Sequence, residues 1–406
     1  MELNTARLLS RIHTLGEIGR DPRGGRTRLA ASDSEKAGRD QVVSWLKEAG
    51  LRVEVDYIGN IFGIWETEEN KKEAPLMIGS HIDTVIQAGA YDGCLGVLAS
   101  IEAVDVLKKA GVRTKRPIVI SVWTNEEGVR YSPDMMGSLV YAGGYPLEKA
   151  LASVGTDDSI LGDELKRIGY AGTVAPGFIK PYAFLELHIE QGPIMDADGI
   201  RIGAVEALQG IHWQRVTIRG LANHAGTTPT RLRHDAGLAA AKVNVFLREL
   251  VEKSGGVATV GTISLRPNAV NVIPEEAVFT VDLRNPDKEK LDEDEATLAA
   301  YLRQLSETDA VEISTEELTH FDPVPFDEEI CRLTEAAAAT RGLSCSRMVS
   351  GAGQDAQMIA RLCPTAMIFV PSVRGISHNP KEFTKDEDVQ NGAAVFLDVV
   401  EILSQR

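Results

Sequence analysis

Short apolar runs alternate with stretches of helical period through the first half of the chain. "PLMIGSH" (75–81), "RPIVISVWT" (116–124) and "AFLELHIEQG" (183–192) read as buried strands, and "CLGVLASIEAVDVLKKAG" (94–111) reads as a helix. That helix should open near Asp92 and stop at Gly111, after Lys108 and Lys109. Strand and helix in alternation predict a largely parallel sheet covered by helices. Near Trp213 the pattern changes. "WQRVTIRG", an alanine-rich helix over "DAGLAAAKVNVFLRELVEK", "GVATVGTISL", "EEAVFTVDLRN", a charged helix over "DKEKLDEDEATLAAYLRQL" and "VEISTEEL" spell out a compact βαββαβ insertion. The first pattern resumes with a helix around Ile330–Arg341, the strand "TAMIFVP" and a last helix from Asp386. The predicted fold class is therefore an α/β domain, residues 1–210 and 321–406, interrupted by a smaller α+β domain over 211–320.

Composition narrows the class without changing this picture. A chain of 406 residues, 43% hydrophobic and 25% charged, has no apolar stretch of the ~20 residues that a membrane span needs. The N-terminal "MELNTARLLSRIHTLGEIG" carries charge inside a helical pattern, which predicts a first amphipathic helix in place of an export signal. A formal charge of −16 opposes contact with nucleic acid or anionic lipid. Four scattered cysteines, Cys94, Cys331, Cys345 and Cys363, form no C-x-x-C pair and fit a reducing cytoplasm. The acidic run "DKEKLDEDE" (287–295) reads as a solvated helix face.

Reactive groups of α/β sheets collect at the carboxyl ends of strands. Here those ends carry His81 with Asp83, then Asp92 in "AYDG", Glu126 and Glu127 in "TNEEG", His188 and Glu190 in "LHIEQG", and His378 in "GISHNP". Imidazole and carboxylate without cysteine form a donor set for divalent cations, typically zinc, with manganese, cobalt or nickel also suited. Two cations held by five groups need one shared ligand, and a carboxylate can bridge where a neutral imidazole cannot. Asp92 is the expected bridge. His81 and His188 would complete one position, Glu127 and His378 the other, with Asp83 orienting His81 and Glu126 left free as general base.

"GSHIDTV", "GAYDGCLGV", "TNEEGVRY", "ELHIEQGP", "NHAGTTP", "PNAVNVIP", "FTVDLRN", "SGAG" and "SHNPKE" follow one another along nearly the whole chain. In these motifs the sequence resembles the hydantoinase/carbamoylase family of metal-dependent amidohydrolases. The resemblance implies a dinuclear catalytic domain and an inserted domain serving as lid and homodimer surface. It implies the same metal ligands, with Glu126 as base, and a histidine at 188 in place of the aspartate common in peptidase relatives. It further implies that Arg284 grips a substrate carboxylate, that Asn271 and Gln191 add hydrogen bonds, and that His224 steadies the oxyanion. The implied activity is hydrolysis of the ureido bond of N-carbamoyl-L-amino acids. Allantoate or ureidoglycolate hydrolysis is the nearest alternative, and a catalytically silent metal- or ligand-binding homologue a more distant one. Ile211 and Trp213 hint at an apolar substrate side chain. One position departs from the family, which reads G-A-G-H-D-A where this chain has "GAGQDA", with Gln354 in place of histidine.

Overall fold

All 406 residues are described in a computed structural model. The chain divides into two compact units, Met1–Glu206 with Phe326–Arg406, and Ala207–Pro325. Its strands are β1 (Arg52–Val55), β2 (Ile61–Trp65), β3 (Leu76–His81), β4 (Ile118–Trp123), β5 (Ala183–Ile189), β6 (Ile202–Leu208), β7 (Gly210–Arg219), β8 (Val257–Arg266), β9 (Glu276–Asn285), β10 (Glu312–Phe321), β11 (Val324–Pro325), β12 (Cys345–Ser350) and β13 (Thr365–Val370). The inserted unit is slightly wider than 211–320, because the chain passes between units on paired strands: Leu208 lies opposite Val324, and Ala207 opposite Pro325.

The larger unit is built on a mixed nine-stranded sheet in the order β1-β2-β4-β3-β5-β13-β6-β11, with β12 also on β6. At its centre β4 to β3, β3 to β5 and β5 to β13 pair in parallel, while β1–β2, β2–β4 and β13–β6 are antiparallel. The expected largely parallel sheet is thus a mixed one, parallel at its centre. The outer strand β1 joins β2 through a short turn, which imposes antiparallel pairing. Strands β3, β4, β5 and β13 are buried along their whole length, as strands covered on both faces must be.

The expected helix runs over Cys94–Lys109. Thirteen of its sixteen residues are buried, so it is an interior helix, apolar on nearly all sides. It lies directly on the sheet at Gly96, where a Cβ would come within 2.5 Å of the Leu187 carbonyl oxygen. Its one fully buried acid, Glu102, is gripped by the N-terminal helix Thr5–Glu17: Arg7 donates to both carboxylate oxygens at 2.8 Å, and Arg11 lies 3.5 Å away.

The inserted unit is an antiparallel sheet, β10-β7-β9-β8, packed against helices Ala236–Ser254 and Lys288–Thr308. Its element order is the βαββαβ of the sequence reading. The charged helix is less solvated than expected. Within the acidic run Leu291 and Asp294 are buried, and Asp294 accepts a bond from the Asn285 amide at 3.3 Å. No helix of the chain is long and apolar enough to cross a membrane.

Removing one partner from a buried ion pair strands the other. Glu102→Ala should lower stability by about 3 kcal/mol, the low end of the range because Arg7 is partly exposed, with Glu102→Gln intermediate. Urea denaturation followed by circular dichroism checks this; an unchanged midpoint in Glu102→Ala would show that the Arg7–Glu102 contact does not anchor the first helix.

Candidate metal centre and active site

Strand ends bring the site together. His81 closes β3, the Asn125–Glu127 turn follows β4, His188 is the penultimate residue of β5, and the Ser377–His378 loop follows β13. Between them stands Asp92, just before the Gly93 that opens the buried helix. The two oxygens of Asp92 face different imidazoles. Oδ1 lies 3.2 Å from His188 Nε2 and 3.6 Å from His81 Nε2, while Oδ2 lies 3.4 Å from His378 Nε2. Glu127 Oε2 is also 3.4 Å from His378 Nε2, and Glu126 Oε2 is 3.4 Å from His81 Nε2.

These spacings suit cations. Two ligands each ~2.1 Å from one ion at the tetrahedral angle stand roughly 3.4 Å apart. Imidazole tautomers agree: His188 Nδ1 and His81 Nδ1 meet the carbonyl oxygens of Ile189 at 2.9 Å and Asp83 at 3.1 Å, so each must donate and leave the Nε2 lone pair facing inward. His81 Nε2 is buried without a hydrogen-bond partner, the condition a bound cation relieves. Three overlapping groups can each hold an ion: His81, Asp92 and His188; His81, Glu126 and Glu127; and Asp92, Glu127 and His378. The first is wholly buried, whereas the His378 side chain remains 52% exposed, so the site opens at that end.

Backbone geometry fixes the side chains. Asn125, Gln191 and His378 have positive φ values of 55°, 58° and 52°, at a cost on the order of 1 kcal/mol each that the surrounding contacts offset. Asn125 is held by bonds from its amide to the Tyr131 and Pro133 carbonyls. At Gly93, φ is 62° and a Cβ would fall 2.4 Å from the His81 ring, so no side chain is compatible with that imidazole.

Crowded charge shapes the titrations. Burial drives the Glu126 carboxyl well above the usual range and Glu127 to about 8, with neighbouring Asp92 raising both. Burial also opposes the charge on Asp92, but the surrounding imidazoles of His188, His378 and His81 hold it well below the ordinary value. Through its bond to Asp92, His378 is pushed up to about 9. On Glu127 and His378, protons therefore occupy the places that a cation would take.

Residues 77–402 match peptidase family M20/M25/M40. The N-carbamoyl-L-amino-acid amidohydrolase of Rhizobium meliloti is 40% identical over 400 residues, spanning 98% of this chain and 96% of its own. The chain belongs to the M20/M25/M40 family. Within it, the ureidoglycolate hydrolase of Arabidopsis thaliana is 34% identical over 96% of this chain and 84% of its own. A crystal structure of a hydantoinase/carbamoylase family amidase from Burkholderia multivorans, 39% identical, superposes with a TM-score of 0.97 over 100% of this chain and 99% of that one. As a hydantoinase/carbamoylase member of the M20/M25/M40 family, the protein is a metal-dependent amidohydrolase acting on carbon–nitrogen bonds.

Against this M20/M25/M40 site, some expectations need correction. Asp83 does not orient His81 through its carboxylate, which lies 3.7 Å from Nδ1, beyond hydrogen-bond reach; its backbone carbonyl does so. The carboxylate instead accepts the backbone N–H groups of Glu126 and Glu127 at 3.2 Å each, setting the turn that carries both acids. Glu190 lies outside the cluster and accepts the N–H groups of Ile194 and Met195. Cys94 is a small buried residue at the start of its helix, beside Arg28, and burial raises its thiol.

Gln191 does not stand free for substrate, since its amide donates to Asp92 Oδ2 at 2.9 Å. Gln354 donates to its carbonyl oxygen at 2.8 Å. Arg284, His224 and Asn271 belong to the inserted unit. The Arg284 guanidinium is paired with Asp282 at 2.8 Å, and Asn271 is exposed at the loop whose carbonyl accepts from Ala225. Trp213 is partly exposed on β7.

One functional group escaped notice, although it closes the motif "SHNPKE". Glu382 accepts the backbone N–H groups of Tyr91 and Asp92 at 3.0 and 3.2 Å, and Ser377 lies within bonding reach of both Glu382 and Asp92. A Cβ at Gly89 would strike the Glu382 carboxylate at 2.2 Å, so the glycine of "AGAYDG" was its one signal in the sequence.

Gly93→Ala should keep the fold by circular dichroism and weaken zinc binding on the order of ten- to hundredfold, read by calorimetry, because the added methyl displaces His81. Unaltered affinity would mean that His81 is not a ligand. The titrations give a second expectation. His378 and Glu127 carry protons at pH 7, so zinc uptake there should release protons, with affinity rising with pH until about 9. Titration heats independent of the buffer's protonation enthalpy would contradict it.

Proposed function

We propose that the protein hydrolyses the ureido carbon–nitrogen bond of N-carbamoyl-L-amino acids, using two divalent cations that share Asp92. His81 and His188 complete one position, and Glu127 and His378 the other. The observation that carries this reading is the division of the two Asp92 oxygens between separate imidazoles, in a chain 40% identical to an N-carbamoyl-L-amino-acid amidohydrolase. Zinc suits the donor set best, with manganese, cobalt and nickel as alternatives. Bound there, the cations supply Lewis-acid activation of water and of the scissile carbonyl.

The remaining steps belong to side chains. Glu126, buried and tuned upward, takes a proton from the attacking water while the oxygen adds to the ureido carbon. The same carboxyl then delivers that proton to the substituted nitrogen, the bond to it breaks, and the amino acid leaves. Residual carbamate yields carbon dioxide and ammonia. Asp83 serves by holding the backbone of Glu126 and Glu127. His224 Nδ1 accepts backbone N–H groups from Gly226 and Thr227 at 3.0 and 3.2 Å, so its proton sits on Nε2, the tautomer that an oxyanion donor requires. Arg284 binds the substrate carboxylate in exchange for Asp282, with Asn271 adding a hydrogen bond.

A homodimer formed through the inserted unit and residence in the cytoplasm complete the proposal. The exposed apolar residues Val245 and Ile263 of that unit support the first, and four unpaired cysteines support the second. The likeness to ureidoglycolate hydrolase keeps a purine-derived ureide as the second substrate reading.

Glu126→Gln should retain its metal by plasma emission while kcat falls about a thousandfold on N-carbamoyl amino acids. Turnover near the parent rate would remove Glu126 from the role of base. Assays of the parent enzyme on a panel of N-carbamoyl-L-amino acids, allantoate and ureidoglycolate decide the substrate, and higher kcat/KM on a ureide would overturn the first reading.

A further inference from the structure

Asp83 takes up the N–H groups of the turn that carries Glu126, and a second segment takes up its carbonyls. The successive amides of Met135, Met136 and Gly137 donate to the carbonyl oxygens of Glu126, Asn125 and Thr124 at 2.7, 3.2 and 2.8 Å. At Gly137 the two backbones run so close that a Cβ would fall 2.5 Å from the Thr124 nitrogen. Met135 adopts a left-handed φ of 48°, which a residue with a side chain keeps only where its surroundings hold it.

The "GAGQDA" loop supplies part of that hold. A Cβ at Gly353 would come 2.9 Å from Met135 Cε, so the thioether side chain packs directly on that glycine. Ser138, next along the chain from Gly137, donates its hydroxyl to Asp355 Oδ1 at 2.5 Å. The loop itself is fixed at the next residue. Ala356 N–H donates to Glu186 Oε2 at 3.0 Å, and Glu186 Oε1 accepts the Ser80 hydroxyl at 2.6 Å, which ties the loop to β5 and β3, the strands that carry His188 and His81. Asp355 is fully buried, yet its Oδ2 has no hydrogen-bond partner. A buried carboxyl bonded through one oxygen only costs free energy, so stability alone does not account for an acid there.

We propose that Asp355 is a positioning residue for the general base: through Ser138 it clamps the Met135–Gly137 segment and so fixes the backbone on which Glu126 meets the attacking water. The inference rests on the reading of Glu126 as base. With Gln354 beside it orienting Gln191 on Asp92, a single loop then sets both the base and the shared carboxylate.

The test uses the zinc-loaded, full-length protein and the panel substrate with the highest kcat/KM. Asp355→Ala and Ser138→Ala should each lower kcat about thirtyfold, the scale of loss that a small misplacement brings, while KM and zinc per chain stay within about twofold of the parent. Asp355→Asn keeps an acceptor oxygen for Ser138 and should lose no more than about threefold, and in a Glu126→Gln background Asp355→Ala should likewise cost less than about threefold, because the base it serves is gone. Amide hydrogen exchange at Met135, Met136 and Gly137 should quicken about tenfold in Asp355→Ala, with helix Thr5–Glu17 unaltered. Parental kcat or parental exchange in Asp355→Ala, an equal loss in Asp355→Asn, or the full loss persisting in the Glu126→Gln background would each overturn the inference. Should Glu126→Gln alone turn over at the parental rate, the base reading falls and the inference with it; the exchange rates distinguish that case, because they report the clamp whatever the base is.

Discussion

A carboxylate cannot be buried without compensation, and Asp92 is buried at the point where the sheet, the interior helix and the His378 loop meet. Much of the active-site region can be understood as the means of compensating it. Three imidazoles surround its two oxygens, backbone carbonyls fix the proton of two of those rings on the outward nitrogen, and glycines stand wherever a Cβ would intrude. Glu382 holds the main chain on which Asp92 rides, so the acid is located by its backbone and by the rings around it together. Charge explains the shared proton sites as well. Acids and imidazoles packed this closely cannot all take their ordinary states, and the upward shifts of Glu126, Glu127 and His378 express the same demand for positive charge that a divalent cation meets.

The reactive set was legible in the sequence because strand periodicity places it. Each apolar run ends on an imidazole or a carboxylate, and chemistry gathers at the carboxyl edge of parallel strands. What sequence could not give was the partner of each atom. Asp83 follows His81 at the spacing of an orienting acid, yet a turn after β3 presents its carbonyl to the ring and its carboxylate to another loop. Period alone does not report burial. Helix Cys94–Lys109 packs on several sides and has no polar face, and the acidic run at 287–295 mixes solvated residues with Asp294, which faces inward. The antiparallel margins of the sheet were missed for a related reason, since connection length decides strand direction and apolar runs do not report it.

The inserted unit poses a different problem, because its reactive side chains are already engaged. Arg284 has a carboxylate partner in Asp282, and a substrate carboxylate taking that place exchanges one ion pair for another. Such an exchange contributes little net affinity but strong geometric selection, since only a planar group of the right span can accept the guanidinium in two-pronged fashion. His224 is likewise prepared before any ligand arrives: two backbone amides commit Nδ1 as acceptor, leaving Nε2–H as the only donor of the ring. Under the proposed function, Arg284 would take the substrate carboxylate and His224 the oxyanion.

Gln354 stands where the resemblance to the hydantoinase/carbamoylase family implies a histidine. Its amide donates to the Gln191 carbonyl oxygen, which turns the Gln191 amide nitrogen toward Asp92 Oδ2. A hydrogen-bond chain of that kind has a direction, from Gln354 through Gln191 to the buried carboxylate, and its end delivers an N–H to the oxygen that also faces His378. A neutral imidazole could start the same chain, but protonation would add a positive charge beside an already positive set of rings. Glutamine cannot titrate, so the polarity of the chain is the same at every pH at which the protein is folded. Gln354 therefore orients Gln191 on Asp92 and takes no part in carrying protons.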